Sequence, residues 1–341
     1  MPLPPRWLRR LLLAPAVIAL AVVLLTTLPV WLLIAAGLSP LVQGRLRPLR
    51  VIWLGTVYVV WDAFALVLLF CLWVASGFGW KVRSPSFQRA HYVLTGWFLT
   101  FLFWQARWTL RLRLDIAGSD PDTALPGRPE LVVCRHAGPG DSFVLVHALV
   151  NWFDREPRIV LKDTLQWDPA VDVLLNRLPS RFITPHHKGA GAAGEDHVGD
   201  LAVGLDENDA FVIFPEGGNF TPGRRVRAIE RLRSRGLHKM AARAERMRNV
   251  LAPRPGGLLA AMDAAPDAGV IFVAHTGLDR LITVSDVWRE LPMDKQITMR
   301  FWSVPPEEVP TDRDQRIEWL YDWWARIDEW IEQNRPTPVG A

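Results

Sequence analysis

The stretch VVCRHAGPGDSF, residues 132–143, places four reactive side chains close together: Cys134, His136, Asp141 and Ser142. A neutral imidazole can accept a proton near pH 7, and a carboxylate beside it fixes its tautomer and orientation. Such a His–Asp pair activates a hydroxyl group for attack. Cys134 and Ser142 are the alternative nucleophiles, although Cys134 ends an apolar strand and is more typical of a core cysteine.

His136 and Asp141 can cooperate only if the chain between them forms a tight loop. On an α-helix, five residues would separate them by about 140° around the axis. The intervening Ala-Gly-Pro-Gly favours a loop, which can fold Asp141 back toward His136. The alternative is a capped turn, in which Asp141 or Ser142 caps the following helix and His136 ends a strand. This stretch alone favours the capped turn.

A second motif, AFVIFPEGGNFTPGRR at residues 210–225, brings Glu216 and two glycines to the end of an apolar strand. Ligands bind at strand ends in open α/β sheets, and glycine lets the backbone approach a substrate closely. His136-x-x-x-x-Asp141 followed by Phe-Pro-Glu-Gly at 214–217 resembles the glycerolipid acyltransferases, in particular the 1-acylglycerol-3-phosphate acyltransferases. With this partner motif, the His–Asp base becomes the favoured interpretation, with Ser142 at the helix cap.

The resemblance implies transfer of an acyl group from acyl-CoA to the free hydroxyl of lysophosphatidic acid, giving phosphatidic acid. His136 would take the hydroxyl proton, Asp141 would orient His136, and Glu216 would hold the acceptor. Acyl-CoA would be a co-substrate, and neither a metal nor another cofactor is implied. Further expected substrate-binding residues are Gly217, Gly218, Asn219, Lys162, Arg181, Arg224, Arg225 and Arg254.

Two arginines of the family pattern are replaced in this chain. Thr184 follows Phe182-Ile183, and Gly218-Asn219 follows Phe-Pro-Glu-Gly, at positions where the family has phosphate-binding arginines. These changes leave the acceptor open, because another lysophospholipid or a glycolipid would use the same chemistry. A non-catalytic lipid-binding scaffold on the same fold and a hydrolase using Ser142 or Cys134 also stay open.

The N-terminal region predicts a membrane hairpin. Residues 11–38 carry no charge and residues 51–80 carry only Asp62, and both runs exceed the roughly 20 apolar residues that cross a bilayer. A third run, 92–110, is expected to be an interfacial helix; the alternative is a third membrane crossing, which would move the rest of the chain to the other side. We therefore expect residues 1–110 to contact membrane lipids, in a bacterial inner membrane. The catalytic domain would face the cytoplasm, where acyl-CoA is made.

Residues 111–310 predict an α/β acyltransferase domain with a central sheet flanked by helices. An amphipathic helix at 311–334 is expected to dock on that domain through Leu320, Trp324 and Ile327, and a tail at 335–341 follows. The expected strands are 112–116, 131–134, 158–161, 181–184, 210–214, 270–274 and 297–304, and the expected helices are 141–153, 166–177, 195–205, 224–249 and 256–264.

Composition excludes several other classes of protein. The net charge of +4 and the 17 tryptophans suit an anionic membrane surface, and no nucleic-acid-binding motif is present. Two cysteines give no disulfide framework. Gly189, Gly191 and Gly194 match a dinucleotide-binding spacing only formally. His186, His187 and His197 lack the spacing of a zinc site, and the sequence leaves the oligomeric state open.

Overall fold

The computed structural model describes residues 3–118, 121–138, 140–183, 198–277 and 288–335. The chain forms two compact units. The sequence predicted one continuous domain, 111–310. In the structure, two segments of that range group with the N-terminal helices. The first unit comprises Met1–Leu112, Val160–His186 and Val287–Asp294, and the second comprises Arg113–Ile159, His187–Asp286 and Lys295–Ala341.

Three long helices dominate the first unit: α1 (Arg6–Leu38), α2 (Arg47–Ala75) and α3 (Pro85–Leu110). Among the described residues, α1 and α2 are long and apolar enough to cross a membrane. Apolar side chains of α1 stay exposed, with Leu33 at 75%. These helices agree with the predicted runs 11–38 and 51–80.

A buried ion pair explains why part of the chain after residue 159 joins the first unit. Asp172, in the short helix Pro169–Leu175, accepts hydrogen bonds from Arg9 at 2.6 Å and from Arg10 at 3.1 Å. Asp172 and Arg9 are 1% and 5% exposed. Removing one partner of such a buried pair typically costs about 3–5 kcal/mol. Apolar packing in the same place involves Ala65, Leu66, Leu69, Ala170 and Val173.

Seven strands form one sheet, in the order β1-β7-β6-β2-β5-β3-β4. Strands β6 and β7 pair antiparallel, whereas the pairs β1–β7, β6–β2, β2–β5 and β5–β3 are parallel. Strands β2, β5 and β6 are buried along their whole length, as expected for parallel strands covered on both faces. The α/β prediction is confirmed. The strands are β1 (Arg113–Ala117), β2 (Glu130–Cys134), β3 (Glu156–Lys162), β4 (Ser180–Ile183), β5 (Asp209–Ile213), β6 (Gly269–Thr276) and β7 (Gln296–Val304).

The helices around this sheet follow the predicted positions with one exception, and the start of the predicted helix 195–205 lies outside the described residues. The expected helix 224–249 is two helices, Pro222–Ser234 and His238–Arg246, and the single-helix prediction was wrong. Gly236 lies between them with φ +74°. This left-handed backbone conformation commonly ends a helix, and glycine adopts it without steric strain. In chain order the helices after α3 are α4 (Pro121–Ala124), α5 (Asp141–Asn151), α6 (Pro169–Leu175), α7 (Pro222–Ser234), α8 (His238–Arg246), α9 (Pro255–Ala264) and α10 (Arg313–Asn334).

Helix α10 docks on the sheet of the second unit, as its amphipathic pattern predicts. Trp324 and Ile327 are 0% exposed, and the ring of Trp323 stacks on Phe272 of β6 with 4.5 Å between centroids. Asp328 of α10 accepts a hydrogen bond from the backbone N–H of Arg248 at 2.8 Å. The helix thereby holds the chain segment that follows α8.

Candidate active site

The loop between β2 and α5 brings His136 and Asp141 together. Strand β2 ends at Cys134 and α5 begins at Asp141, so both side chains lie at the carboxyl end of a central parallel strand. His136 Nδ1 lies 3.3 Å from Asp141 Oδ2. The side chain of His136 is 12% exposed and that of Asp141 is 0% exposed. The predicted loop that folds Asp141 back to His136 is therefore present.

Backbone donors hold Asp141 in place. The N–H groups of Ala137 and Gly138 donate to the same oxygen, Oδ2, the second at 2.7 Å. Burial by itself would raise the pKa of Asp141, but His275, the hydrogen bond from His136 and the Gly138 N–H together hold it well below its usual range. An ionised Asp141 fixes the Nδ1–H tautomer of His136, which leaves Nε2 to accept a proton.

His275, the second histidine beside Asp141, was not predicted from the sequence. It lies on β6, is 2% exposed, and its Nε2 is 3.5 Å from Asp141 Oδ2. The segment VIFVAHTG carried the signal: a lone histidine ends an otherwise apolar strand. Register with β2 brings it to the site, because β6 pairs directly with β2.

The two alternative nucleophiles are poorly placed for catalysis. Cys134 is 0% exposed, and burial followed by the charge of Asp141 raises the pKa of its thiol, which keeps it protonated and unreactive. The core position predicted for Cys134 is confirmed. Ser142 is the second residue of α5, after the N-cap residue Gly140. The prediction that Ser142 caps this helix was wrong, because the N-cap is Gly140, two residues before Ser142.

Glu216 lies beneath the His136 loop and is 2% exposed. Its Oε1 accepts from the backbone N–H of His136 at 3.4 Å, and its Oε2 accepts from that of Leu251 at 3.3 Å. Burial raises the pKa of Glu216 to about 8, although Arg135 and the two backbone donors act in the opposite direction. Both oxygens thus face backbone, and Glu216 joins the His136 loop to the segment before α9.

Residues around Glu216 complete the attachment of His136. The backbone N–H of Phe220 donates to the carbonyl oxygen of His136 at 2.6 Å. The ring of Phe214 lies 4.7 Å from the imidazole, centroid to centroid. The Phe-Pro-Glu-Gly motif therefore fixes the backbone and one ring face of His136.

Two arginines lie over the glycines of this motif. Gly217 has φ +67°, and a Cβ added there would sit 2.9 Å from the Cζ of Arg254. Arg224 donates to the carbonyl oxygen of Asn219 at 2.9 Å, and its Nη1 would lie 3.4 Å from a Cβ at Gly218. Burial, then the nearby charges of Arg231 and Arg235, lowers the pKa of Arg254. Cations crowded in this way favour an anion.

The comparisons with known proteins agree with this arrangement. Residues 116–273 match the protein-family model described as Acyltransferase, and that segment contains both motifs. The match confirms the resemblance to acyltransferases. The match supports an enzyme that transfers acyl groups.

Two further comparisons add little to this conclusion. No curated protein matches the chain. One solved structure with a similarity is the 1-acyl-sn-glycerophosphate (LPA) acyltransferase PlsC from Thermotoga maritima. It is 15% identical, with a TM-score of 0.46, and the similarity covers 80% of this chain and 98% of that chain. A similarity of this size carries no conclusion about the substrate.

Three of the predicted binding residues, Arg225, Lys162 and Arg181, are placed differently from the others. Arg225 donates to the carbonyl oxygens of Met247 and Glu245, at 2.6 Å and 2.7 Å, and so supports the end of α8. Lys162 ends β3 and Arg181 lies in β4, and both belong to the first unit. Their predicted roles in binding substrate stay predictions.

The described part of the chain contains no group of three or more His, Cys, Asp or Glu side chains that could hold a metal ion. The three glycines of the formal dinucleotide motif lie outside the described residues. So do the three histidines that were considered for zinc, namely His186, His187 and His197.

Proposed function

We propose that the protein is a membrane-bound O-acyltransferase that moves a fatty acyl group from acyl-CoA to the free hydroxyl of lysophosphatidic acid. The observation that carries the proposal is the buried, ionised Asp141 held 3.3 Å from His136 Nδ1. This arrangement sets His136 as a base for a hydroxyl group. The family match over residues 116–273 supports the reaction type.

The proposed reaction is a single displacement at the thioester. Nε2 of His136 takes the proton of the acceptor hydroxyl as its oxygen attacks the thioester carbon. The tetrahedral intermediate then collapses and the carbon–sulfur bond breaks. The departing CoA thiolate takes the proton from His136 and leaves as the thiol. Asp141 stabilises the imidazolium that forms between the two steps. No covalent acyl-enzyme is required, which agrees with the buried thiol of Cys134.

The arginines over the Gly217–Asn219 segment support a phosphate-bearing acceptor. The family arginine after Phe-Pro-Glu-Gly is absent here, and Arg254 places its guanidinium against Gly217 instead. Guanidinium groups bind phosphate by charge-assisted, often bidentate, hydrogen bonds. In the proposed complex, Arg254 and Arg224 bind the acceptor phosphate while its hydroxyl meets His136.

The membrane part of the proposal is based on α1 and α2. Both are long and apolar enough to span a bilayer, and a lysolipid acceptor is itself held in a membrane. We place the catalytic domain on the cytoplasmic side of a bacterial inner membrane, because acyl-CoA is made in the cytoplasm.

An assay with membranes tests the proposal. Wild type, His136→Ala, Cys134→Ala and Ser142→Ala receive labelled acyl-CoA with lysophosphatidic acid, other lysophospholipids or a glycolipid. We expect phosphatidic acid from the wild type and a loss of about 10²–10⁴-fold only in His136→Ala. Activity that survives in His136→Ala contradicts the base mechanism.

Other outcomes of the same assay identify the alternatives. Transfer to a different lysolipid and not to lysophosphatidic acid would favour a changed acceptor, which the loss of the family arginine at Asn219 makes the second candidate. Loss only in Cys134→Ala or Ser142→Ala would favour covalent catalysis. No transfer to any acceptor would favour a lipid-binding scaffold.

A further inference from the structure

His275 is a buried histidine in an apolar strand. The residues before it on β6, from Gly269 to Ala274, are all buried, and His275 is itself 2% exposed. Burying a polar ring without a partner is unfavourable by roughly 1–3 kcal/mol. Asp141 Oδ2 lies 3.5 Å from His275 Nε2. Packing alone therefore does not account for a histidine at this position.

The carboxylate of Asp141 can accept more hydrogen bonds than the one from His136. Oδ2 receives His136 Nδ1 and two backbone N–H groups, whereas Oδ1 is buried and, within the described residues, accepts no hydrogen bond. The separation of 3.5 Å between His275 and Asp141 is longer than an ordinary hydrogen bond. In this geometry His275 Nε2 has no hydrogen-bond partner within the described residues, and its contact with Asp141 can shorten in the substrate complex.

The backbone of His275 is also fixed at this point. Arg135, the residue before the proposed base, donates from its guanidinium to the carbonyl oxygen of His275 at 2.8 Å. The backbone N–H of Arg135 donates to Val273 at 3.3 Å. The His136 loop and the end of β6 are thus joined by two hydrogen bonds, so His275 and Asp141 keep their separation.

We propose that His275 is a positioning residue for the acyl transfer: its Nε2–H holds the Asp141 carboxylate in the orientation that fixes the Nδ1–H tautomer of His136. The inference rests on the proposed function, because it assigns a role within the same site. His275 touches neither reacting group. It acts on the proton transfer only through Asp141.

The groups that face Asp141 set the sign of the expected pH effect. They are His136, His275 on β6, Cys134 on β2 and Glu216 after β5, with the Arg135 guanidinium acting on the last two. Burial is the largest influence on the pKa of Asp141 and raises it, and His275 is the largest influence that lowers it. Removing His275 therefore raises the pKa of Asp141.

The test compares two substitutions of His275 with a matched histidine elsewhere. His275→Phe removes the donor and keeps a ring, whereas His275→Gln keeps an N–H donor. The control is His147→Gln in α5, a histidine whose ring nitrogen pairs with Asn151 at 2.8 Å. For each full-length protein, kcat and KM are measured across pH, and thermal unfolding checks the fold.

We expect kcat to fall about tenfold in His275→Phe with KM unchanged, because a misplaced base slows chemistry without weakening binding. The acidic limb of its pH profile moves to higher pH. His275→Gln restores most of kcat, and His147→Gln matches the wild type. Equal losses in both His275 variants, with an unshifted pH profile, would overturn the inference and leave a role in packing.

A second measurement tests the role of His275 without an activity assay. The downfield Nδ1 proton of His136 is observed by NMR in ¹⁵N-histidine-labelled protein, and His136→Gln assigns the signal. We expect this proton to broaden or vanish in His275→Phe and to persist in His275→Gln and His147→Gln. An unchanged signal in His275→Phe overturns the inference. Absence of acyl transfer in the wild type, with the NMR result as expected, would reject the proposed function alone.

Discussion

Two buried carboxylates lie at the ends of neighbouring strands, and their surroundings drive their pKa values in opposite directions. Asp141 follows β2, and four donors or positive groups approach it: two histidines and two backbone N–H groups. Glu216 follows β5, and each of its oxygens receives one long backbone hydrogen bond. Burial penalises both charges, but the Asp141 environment overcomes that penalty and the Glu216 environment does not.

The contrast assigns a different task to each group. Ionised Asp141 can stabilise a cation on His136, which a base mechanism requires. Glu216, with its pKa raised to about 8, is mostly protonated at neutral pH and serves as a hydrogen-bonded link between two backbone segments. A single substitution of each carboxyl group by its amide separates the two tasks.

Asp141→Asn should give the largest effect in this comparison. The amide cannot stabilise the His136 cation and can present an N–H to Nδ1, which favours the wrong tautomer. We expect kcat to fall at least about 10²-fold, with KM little changed. A kcat within a few-fold of wild type would contradict the role of the charge.

The stability of Asp141→Asn should also differ from wild type in a pH-dependent way. Because the folded-state pKa of Asp141 is depressed, its charge stabilises the fold above its ordinary value of 3.8, and this contribution is lost as the pH falls through the folded-state pKa. The difference in unfolding free energy between wild type and Asp141→Asn should therefore be larger at pH 7 than at low pH. Denaturant unfolding at both pH values measures it.

Glu216→Gln should have a smaller effect on kcat, within about tenfold of wild type, because a neutral side chain already stands there at neutral pH. The folded-state pKa is raised from 4.5 to about 8, so the fold loses stability as the pH rises between these values. Glu216→Gln lacks this slope. Unfolding at pH 6 and above pH 8 checks the sign, and Glu216→Ala, which leaves the N–H groups of His136 and Leu251 unpaired, is the destabilised control.

Much of this site could be predicted from local pattern, and the missing parts depend on tertiary contacts. His136, Asp141 and the strand before Glu216 follow from glycine and proline placement and from apolar runs. His275 is more than 130 residues from Asp141 along the chain, and only the pairing of β6 with β2 brings them together. Likewise, the expectation that Glu216 meets the acceptor came from family resemblance, and only the structure shows both oxygens against backbone.

The fold shows the same division between local and long-range information. Short continuous apolar runs predicted most of the strands to within about two residues, because burial on both faces of a parallel sheet leaves that pattern. The break at Gly236 was missed, since an isolated glycine in a helical pattern is often tolerated. The grouping of residues 160–186 with the first unit was also missed. It depends on the buried pair of Arg9 and Asp172, which no local pattern predicts.

Gly217→Ala tests whether Arg254, which lies against Gly217, binds the acceptor. Its effect on kcat should be smaller than that of the carboxyl substitutions. An alanine there is strained at φ +67° and meets the Arg254 guanidinium at 2.9 Å, so Arg254 must move. We expect KM for the lysolipid to rise several-fold with kcat within about threefold of wild type. The control is Gly204→Ala, at φ +65° with nothing within 4 Å of the added Cβ. Equal KM values for both variants would show that Arg254 does not bind the acceptor.

Cys134→Ala should have the smallest effect and gives the clearest limit on the mechanism. Cys134 lies at the end of β2, two residues before His136, yet burial and the charge of Asp141 keep its thiol protonated. We expect activity within about twofold of wild type, with a loss of roughly 1 kcal/mol of stability from the small cavity. Labelled acyl-CoA should leave no label on the denatured protein. A thioester at Cys134 would show that proximity to His136 outweighs burial, and it would move the nucleophile from the acceptor to the enzyme.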